Sequence, residues 1–261
     1  MITQSHDSSG NEKRNERLFL GQAIVTLGLE IFVSVMIVVV IIAMLLPFLA
    51  EEEGVSTRTQ SLNNLHQIGI AMHDYANNHK TFPPAVVYDQ HGKPLYSWRV
   101  LLLPYLEEQA LFAQFKLDEP WDSPNNKQLL EQIPHVYITQ WQRDVKEPYS
   151  THYQVFTGGG AMFEADPQSP PLSLKQIASA DGTGKTLMVV EAAEPVPWSK
   201  PQDLPYSPDQ SLPRLGGLFH KKGFNVLMAD GSGRWFSPDL DEKTIRAMIT
   251  WNGGEQVKWP E

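Results

Sequence analysis

Residues 31–50, IFVSVMIVVVIIAMLLPFLA, run for twenty positions without a charged side chain, and Glu30 stands directly before them. An α-helix rises about 1.5 Å per residue, so this stretch spans about 30 Å, the thickness of a bilayer's hydrocarbon core. A helix that is apolar all round needs apolar surroundings on every side, which a small soluble domain rarely offers. The segment therefore reads as a single membrane span. A cleaved secretory signal fits less well, because the apolar run is too long and no small-x-small pattern precedes the triplet Glu51, Glu52 and Glu53.

The flanks orient the span. Lys13, Arg14 and Arg17 precede it and three glutamates follow it, and basic residues near a span favour the cytoplasmic side. The expectation is a single-pass protein of the cytoplasmic membrane with its N-terminus inside and its C-terminal domain extracytoplasmic. The chain then divides into a cytoplasmic tail (1–20), the transmembrane helix (21–50), a membrane-proximal amphipathic helix (51–78) and an exported globular domain (79–261). Residues 1–17, polar and uneven in charge, read as an irregular tail.

For the exported part, composition excludes several classes. The formal net charge of −9 leaves no basic stripe to displace counterions from phosphates, so no nucleic-acid partner is expected. With no cysteine, the domain depends on its apolar core and not on disulfides, and thiol catalysis is excluded.

Leu62, Leu65, Ile68, Met72 and Tyr75 recur at helical spacing, and Pro83 and Pro84 close that region. LYSWRVLLLPYL (95–106) reads as buried, EEQALFAQF as helix-like, and DEPWDSPNNK as a loop. THYQVF (151–156) alternates as a strand does, and 186–190 reads as a short buried strand after the turn DGTG. Six prolines across 194–217 suggest an extended surface loop, with Trp198 there, and Trp121 in the earlier loop, as contact surfaces. FNVLMA and RWF flank DGSG, the signature of a β-hairpin. Asp239 with Glu242 predicts a capping box for a last helix whose apolar face is Ile245, Met248 and Ile249.

Together these segments resemble a large bacterial family of prepilin-like proteins whose exported domain has no assigned function. The resemblance rests on SLNNLHQIGIAMHDYANNHKTFPPA (61–85), SWRVLLLPYLEEQALF, DEPWDSPNN, DGTGKTLMVVE, VPWSKPQDLPY and GFNVLMADGSGRWF. It rests also on a His, nine residues, Asp-Gly motif formed by His220, Asp230 and Gly231. It implies an α+β pilin-like fold, with a long N-terminal transmembrane helix continuing into an amphipathic helix packed on an antiparallel sheet, between Pro/Gly-rich loops. In pilins an intramembrane Glu lies seventeen residues before a Pro, the separation of Glu30 and Pro47 here, and these two are the expected assembly residues. The family's cleavage Gly is replaced by Val25, and the new first residue would be Thr26.

Other chemistry is weaker. GTGKT (182–186) matches only the end of a phosphate loop, since the first glycine is Ser179 and the strand follows the motif. His220 and Asp230 lack the further groups of a catalytic site, so Asp230 is expected to cap its turn and His220 to fix the preceding loop. Metal ligation stays open, with Asp230, Asp239, Asp241 and Glu242 as calcium candidates. His66 and His73 share one helix face, which reads as solvated.

The expected function is that of a non-enzymatic, membrane-anchored, pilin- or pseudopilin-like structural or assembly protein without a cofactor. Its expected partners are membrane lipid and other pilin-like subunits or envelope proteins. The alternative is a membrane-anchored extracytoplasmic enzyme or binding module acting on envelope glycans or proteins.

Overall fold

A computed structural model describes residues 8–139, 148–216, 223–237 and 239–255; the side chains of 8–26, Glu30 and 45–56 fall outside that description. The protein is α+β, with an N-terminal apolar helix and antiparallel sheets, as the sequence leads one to expect. It divides into two compact units, 1–55 and 56–261.

The first unit is helical. Helix α1 (Ser8–His79) begins within it, so residues 8–17, expected as irregular, are helical. Once a long apolar helix exists, adding charged residues to its end needs no new nucleus. From Leu27 to Met44 the mean hydropathy is 2.8 and none of the window is buried. This is one helix long and apolar enough to cross a membrane.

In the second unit, α1 supplies Leu65, Ile68, Ala71 and Met72, all at 0% exposure. They recur three and four residues apart, the spacing of one helix face. The helix stops at Lys80, whose φ of 69° is left-handed, and Pro83 and Pro84 prevent its resumption. A small hairpin follows, β1 (Val86–Tyr88) with β2 (Pro94–Ser97), then short helices α2 (Trp98–Leu101) and α3 (Gln109–Phe112). Three 3-10 segments, Leu103–Tyr105, Asn126–Gln132 and His135–Tyr137, carry buried Leu103, Leu129, Val136 and Tyr137 into the core.

The remaining elements are β3 (Ser150–Gln154), β4 (Phe156–Thr157), α4 (Leu174–Ser179), β5 (Leu187–Pro197), β6 (Leu204–Pro205), β7 (Phe224–Met228), β8 (Gly233–Phe236) and α5 (Glu242–Ile249). The main sheet has the order β3-β5-β7-β8, antiparallel throughout, and β4 pairs in parallel with β6. Alternation on its central strands separates two apolar clusters. Phe224, Val226 and Met228 of β7 point to α5 with Ile245, Met248 and Ile249, whereas Leu227 points to α1 with Leu65, Ile68 and Met72. The sheet is therefore a middle layer with a helix on each face.

Gly69 is a point of close approach between α1 and β7. A Cβ there would lie 3.0 Å from Leu227 Cδ1. A Gly69→Leu chain should cost about 1–3 kcal/mol by overpacking, read as a lower melting temperature of the detergent-solubilised protein; an unchanged melt would contradict this packing.

Three expectations fail for identifiable reasons. The proline-rich 194–217 stretch is a surface loop only in its second half: 194–206 holds the end of β5 and β6 and buries Trp198 at 0% with Leu204 and Tyr206, whereas 207–214 has no helix or strand and is exposed over 208–211. Proline is compatible with extended backbone at an edge, and the large apolar side chains between the prolines drive burial. Trp198 donates from Nε1 to the Leu130 carbonyl and is no contact surface. Trp121 is half-buried against the core under the Lys200 ammonium. Finally, α5 has Asp241 at its N-cap with no side-chain cap bond, and Glu242 instead bonds Arg246 at 2.6 Å, one turn along the helix.

Candidate functional site

The face of the sheet toward α1 carries a row of unlike side chains. Tyr153 of β3 lies opposite Glu191 of β5, Val190 pairs with Val226 so that Glu191 meets Asn225 of β7, and Asn225 lies opposite Trp235 of β8. Four strands thus contribute one residue each to a line across the sheet. Helix α1 meets that line with Arg58, Ser61 and Asn64, spaced three apart and hence on one face.

The contacts are specific. The Asn225 backbone N–H donates to Glu191 Oε2 at 2.7 Å, and its amide Nδ2 reaches Glu191 Oε1 at 3.3 Å and the Arg58 carbonyl at 3.4 Å. Ser61 Oγ donates to Glu191 Oε1 and lies 2.8 Å from Tyr153 Oη. Asn64 Nδ2 donates to the Ile138 carbonyl at 3.0 Å, and the Arg58 guanidinium stands 4.4 Å over the Trp235 ring. Ser61, Asn64, Tyr153, Glu191 and Asn225 are all buried.

Glu191 has no cationic partner in this network. Burial pushes its carboxyl above the ordinary glutamate range, against the pull of the Ser61 and Asn225 donors. Burial, reinforced by the charge of Glu191, likewise raises Tyr153. Ser61 beside a carboxylate has the residue types of an activated nucleophile, but groups shut off from solvent have no route to a substrate. The chemistry suited to this seam is positional: each polar group finds its partner in only one register of helix on sheet.

A second buried network meets the first at Tyr153. Arg99 of α2 donates from Nε and Nη2 to the Tyr153 carbonyl at 3.0 and 2.8 Å, from Nη1 to Ser97 Oγ at 3.1 Å, and from Nη2 to Asp203 Oδ1 at 2.6 Å. The Arg99 and Asp203 side chains are 0% and 1% exposed. Asp203 Oδ1 also accepts from the Val155 N–H at 2.9 Å and from Trp98 Nε1 at 3.3 Å. This pair ties the β2–α2 corner to β3 and to the segment before β6.

The site residues expected from the sequence fall elsewhere. Asp230 and Gly231 form the β7–β8 turn, with Asp230 Oδ1 accepting from the Ser232 N–H at 2.8 Å and Oγ at 2.6 Å. Gly231 has φ +84°, and a Cβ there would meet His73 Nε2 at 3.6 Å. The half-buried His73 is therefore seated against this hairpin turn, whereas His66, beside Gly233, is exposed as expected. The GTGKT segment is a turn against it: the Asp230 and Ala229 N–H groups donate to the Thr183 and Thr186 carbonyls. His220 lies outside the described residues, as do the side chains of Glu30 and Pro47, which are fixed only as members of α1. Among the described residues, no group of three or more acidic, histidine or cysteine side chains is arranged to hold a metal ion.

Sequence reading missed the seam and the buried pair. Their signals were present: Ser61 and Asn64 interrupt the apolar face of α1, Glu191 directly follows the run LMVV, and Arg99 interrupts a buried segment.

Residues 57–137 match the family model SBP_bac_10, described as a protein of unknown function (DUF1559). This is a family of unknown function typical of bacterial prepilin-like proteins. The match covers Ser61, Asn64 and Arg99 but not the His220 to Gly231 motif. No curated protein and no solved structure matches the chain.

Proposed function

We propose that this chain, with its DUF1559 segment at 57–137, is a non-enzymatic, single-pass, pilin-like structural or assembly subunit of the cell envelope. The observation that carries the reading is α1 itself. Its residues 27–44 are apolar throughout except for Glu30 and Ser34, with none of that window buried, and its residues 56–79 are the core helix of the globular unit. An exposed apolar window of that length is stable only in lipid or against other apolar helices.

In this reading the basic residues before the span keep the N-terminus in the cytoplasm, and the body beyond the three glutamates is exported. Glu30 and Pro47 are the assembly residues. An ionisable group at the edge of a bilayer needs a partner or stays protonated, and a neighbouring subunit's freed amine would supply one if the chain were processed at Val25/Thr26. The polar seam supports the same role, because a subunit that stacks through its helix requires one fixed register between helix and body.

Membrane fractionation with mass determination of the N-terminus tests it. The expected result is a carbonate-resistant membrane protein whose C-terminal part is digested by protease added outside the cell. A mature start at Thr26 would support processing and assembly, and an intact Met1 a plain anchor. A carbonate-soluble product would overturn the reading.

A further inference from the structure

Away from the seam, a groove of about 560 Å³ opens between the β1 strand with the segment before it and the 161–172 loop, with Trp251 at one side. The volume lies within the about 300–1,000 Å³ typical of ligand sites. Its hydrogen-bonding character is one-sided. Five of its lining residues are prolines, which have no N–H. Several other lining groups are already engaged: the Phe82 N–H donates to the Leu172 carbonyl across the groove, the Ser169 N–H to the Asp166 carbonyl, and the Tyr88 hydroxyl to the Ala165 carbonyl.

The charges are one-sided too. Asp89, Glu164 and Asp166 line the groove, and no Lys, Arg or His does. Burial, and then the charge of Asp166, hold the Glu164 carboxyl above its ordinary range, so the site favours arrival of positive charge. Tyr88, Phe163 and Trp251 are among the aromatic residues of the lining, the residue type that packs against an aliphatic stem or a cation.

The remaining wall is strand edge. β1 pairs with β2 alone, so its other edge has no strand partner among the described residues, and all three β1 residues line the groove. An extended chain can add to such an edge. A free polyamine satisfies the charge but not the edge, whereas a peptide satisfies both.

We infer that this groove is a docking site for an extended, lysine- or arginine-bearing segment of a partner protein, which lies along β1 and places its cationic side chain between Glu164 and Asp166. This is an interaction surface separate from α1, and it does not depend on the assembly reading.

The test is fluorescence anisotropy of a labelled peptide, acetyl-Ala-Lys-Ala-Lys-Ala-amide, titrated with the full chain in detergent micelles. Saturable binding is expected, loosened by salt and at least tenfold weaker for Glu164→Gln/Asp166→Asn. Both positions are exposed, so thermal melts should show that variant folded. The remote pair Asp118→Asn/Glu131→Gln should bind as the parent does. N-methylation of alternate peptide amides should weaken binding several-fold. The inference is overturned by no binding, by equal binding of the Glu-for-Lys peptide, or by equal loss in the remote variant. It is overturned also if spermidine competes as well as the peptide while N-methylation has no effect.

Discussion

Asp203→Ala should destabilise the 56–261 unit by about 3–5 kcal/mol, since it leaves a buried guanidinium without its counter-charge. In a domain of this size that corresponds to a fall of about 10 °C in melting temperature. Arg99 would keep its bonds to the Tyr153 carbonyl and Ser97, but Trp98 Nε1 and the Val155 N–H would lose their acceptor as well. All three donors converge on Oδ1, and Oδ2 is buried without a partner. Asp203→Asn can therefore retain the acceptor while losing the charge, and about half the penalty is expected. Thermal melts of the two variants in detergent check the ordering; a loss below about 1 kcal/mol for Asp203→Ala would show that the pair is dispensable.

Glu191→Ala is expected to cost about 3 kcal/mol, because the buried Asn225 N–H and amide would lose their acceptor and Ser61 would keep only the Tyr153 hydroxyl as partner. Glu191→Gln should be much milder. Its oxygen can accept the Asn225 N–H, and its amide can donate toward Asn225 Oδ1, a buried atom without a partner.

The pH dependence follows from the raised carboxyl. The folded protein holds this proton more tightly than the unfolded chain does. The contribution of Glu191 is therefore fully present below the ordinary glutamate value of about 4.3 and is lost as pH rises through the raised folded value. Acidification from neutral toward that lower bound should raise the melting temperature of the parent relative to Glu191→Gln, and the difference should level off below it. A pH-independent difference would mean that Glu191 is already charged in the fold, with its donors outweighing burial.

Much of the architecture was legible because it follows from local rules. The helical spacing of Leu65, Ile68 and Met72 and the DGSG turn between FNVLMA and RWF are short-range signals, and the corresponding helix face and hairpin are present. The DGTG turn before β5 was legible for the same reason. The first half of the 194–217 stretch was misread because proline content reports backbone conformation and not burial. Trp198 and Asp203 are interior because of what the fold brings to them: the Leu130 carbonyl for one, the Arg99 guanidinium for the other.

Sequence by itself determined that the chain carries an apolar window able to span a bilayer, since length and the absence of charge suffice for that. It also determined the elements that flank the sheet, through their period. Only the tertiary structure decided where the polar residues belong. Ser61 and Glu191 are 130 positions apart and Arg99 and Asp203 are 104 apart, and no local pattern links such partners. They meet because strand register sets Tyr153, Glu191 and Asn225 in one line and α1 lies across it, and a buried polar group is stable only where a partner from another element reaches it.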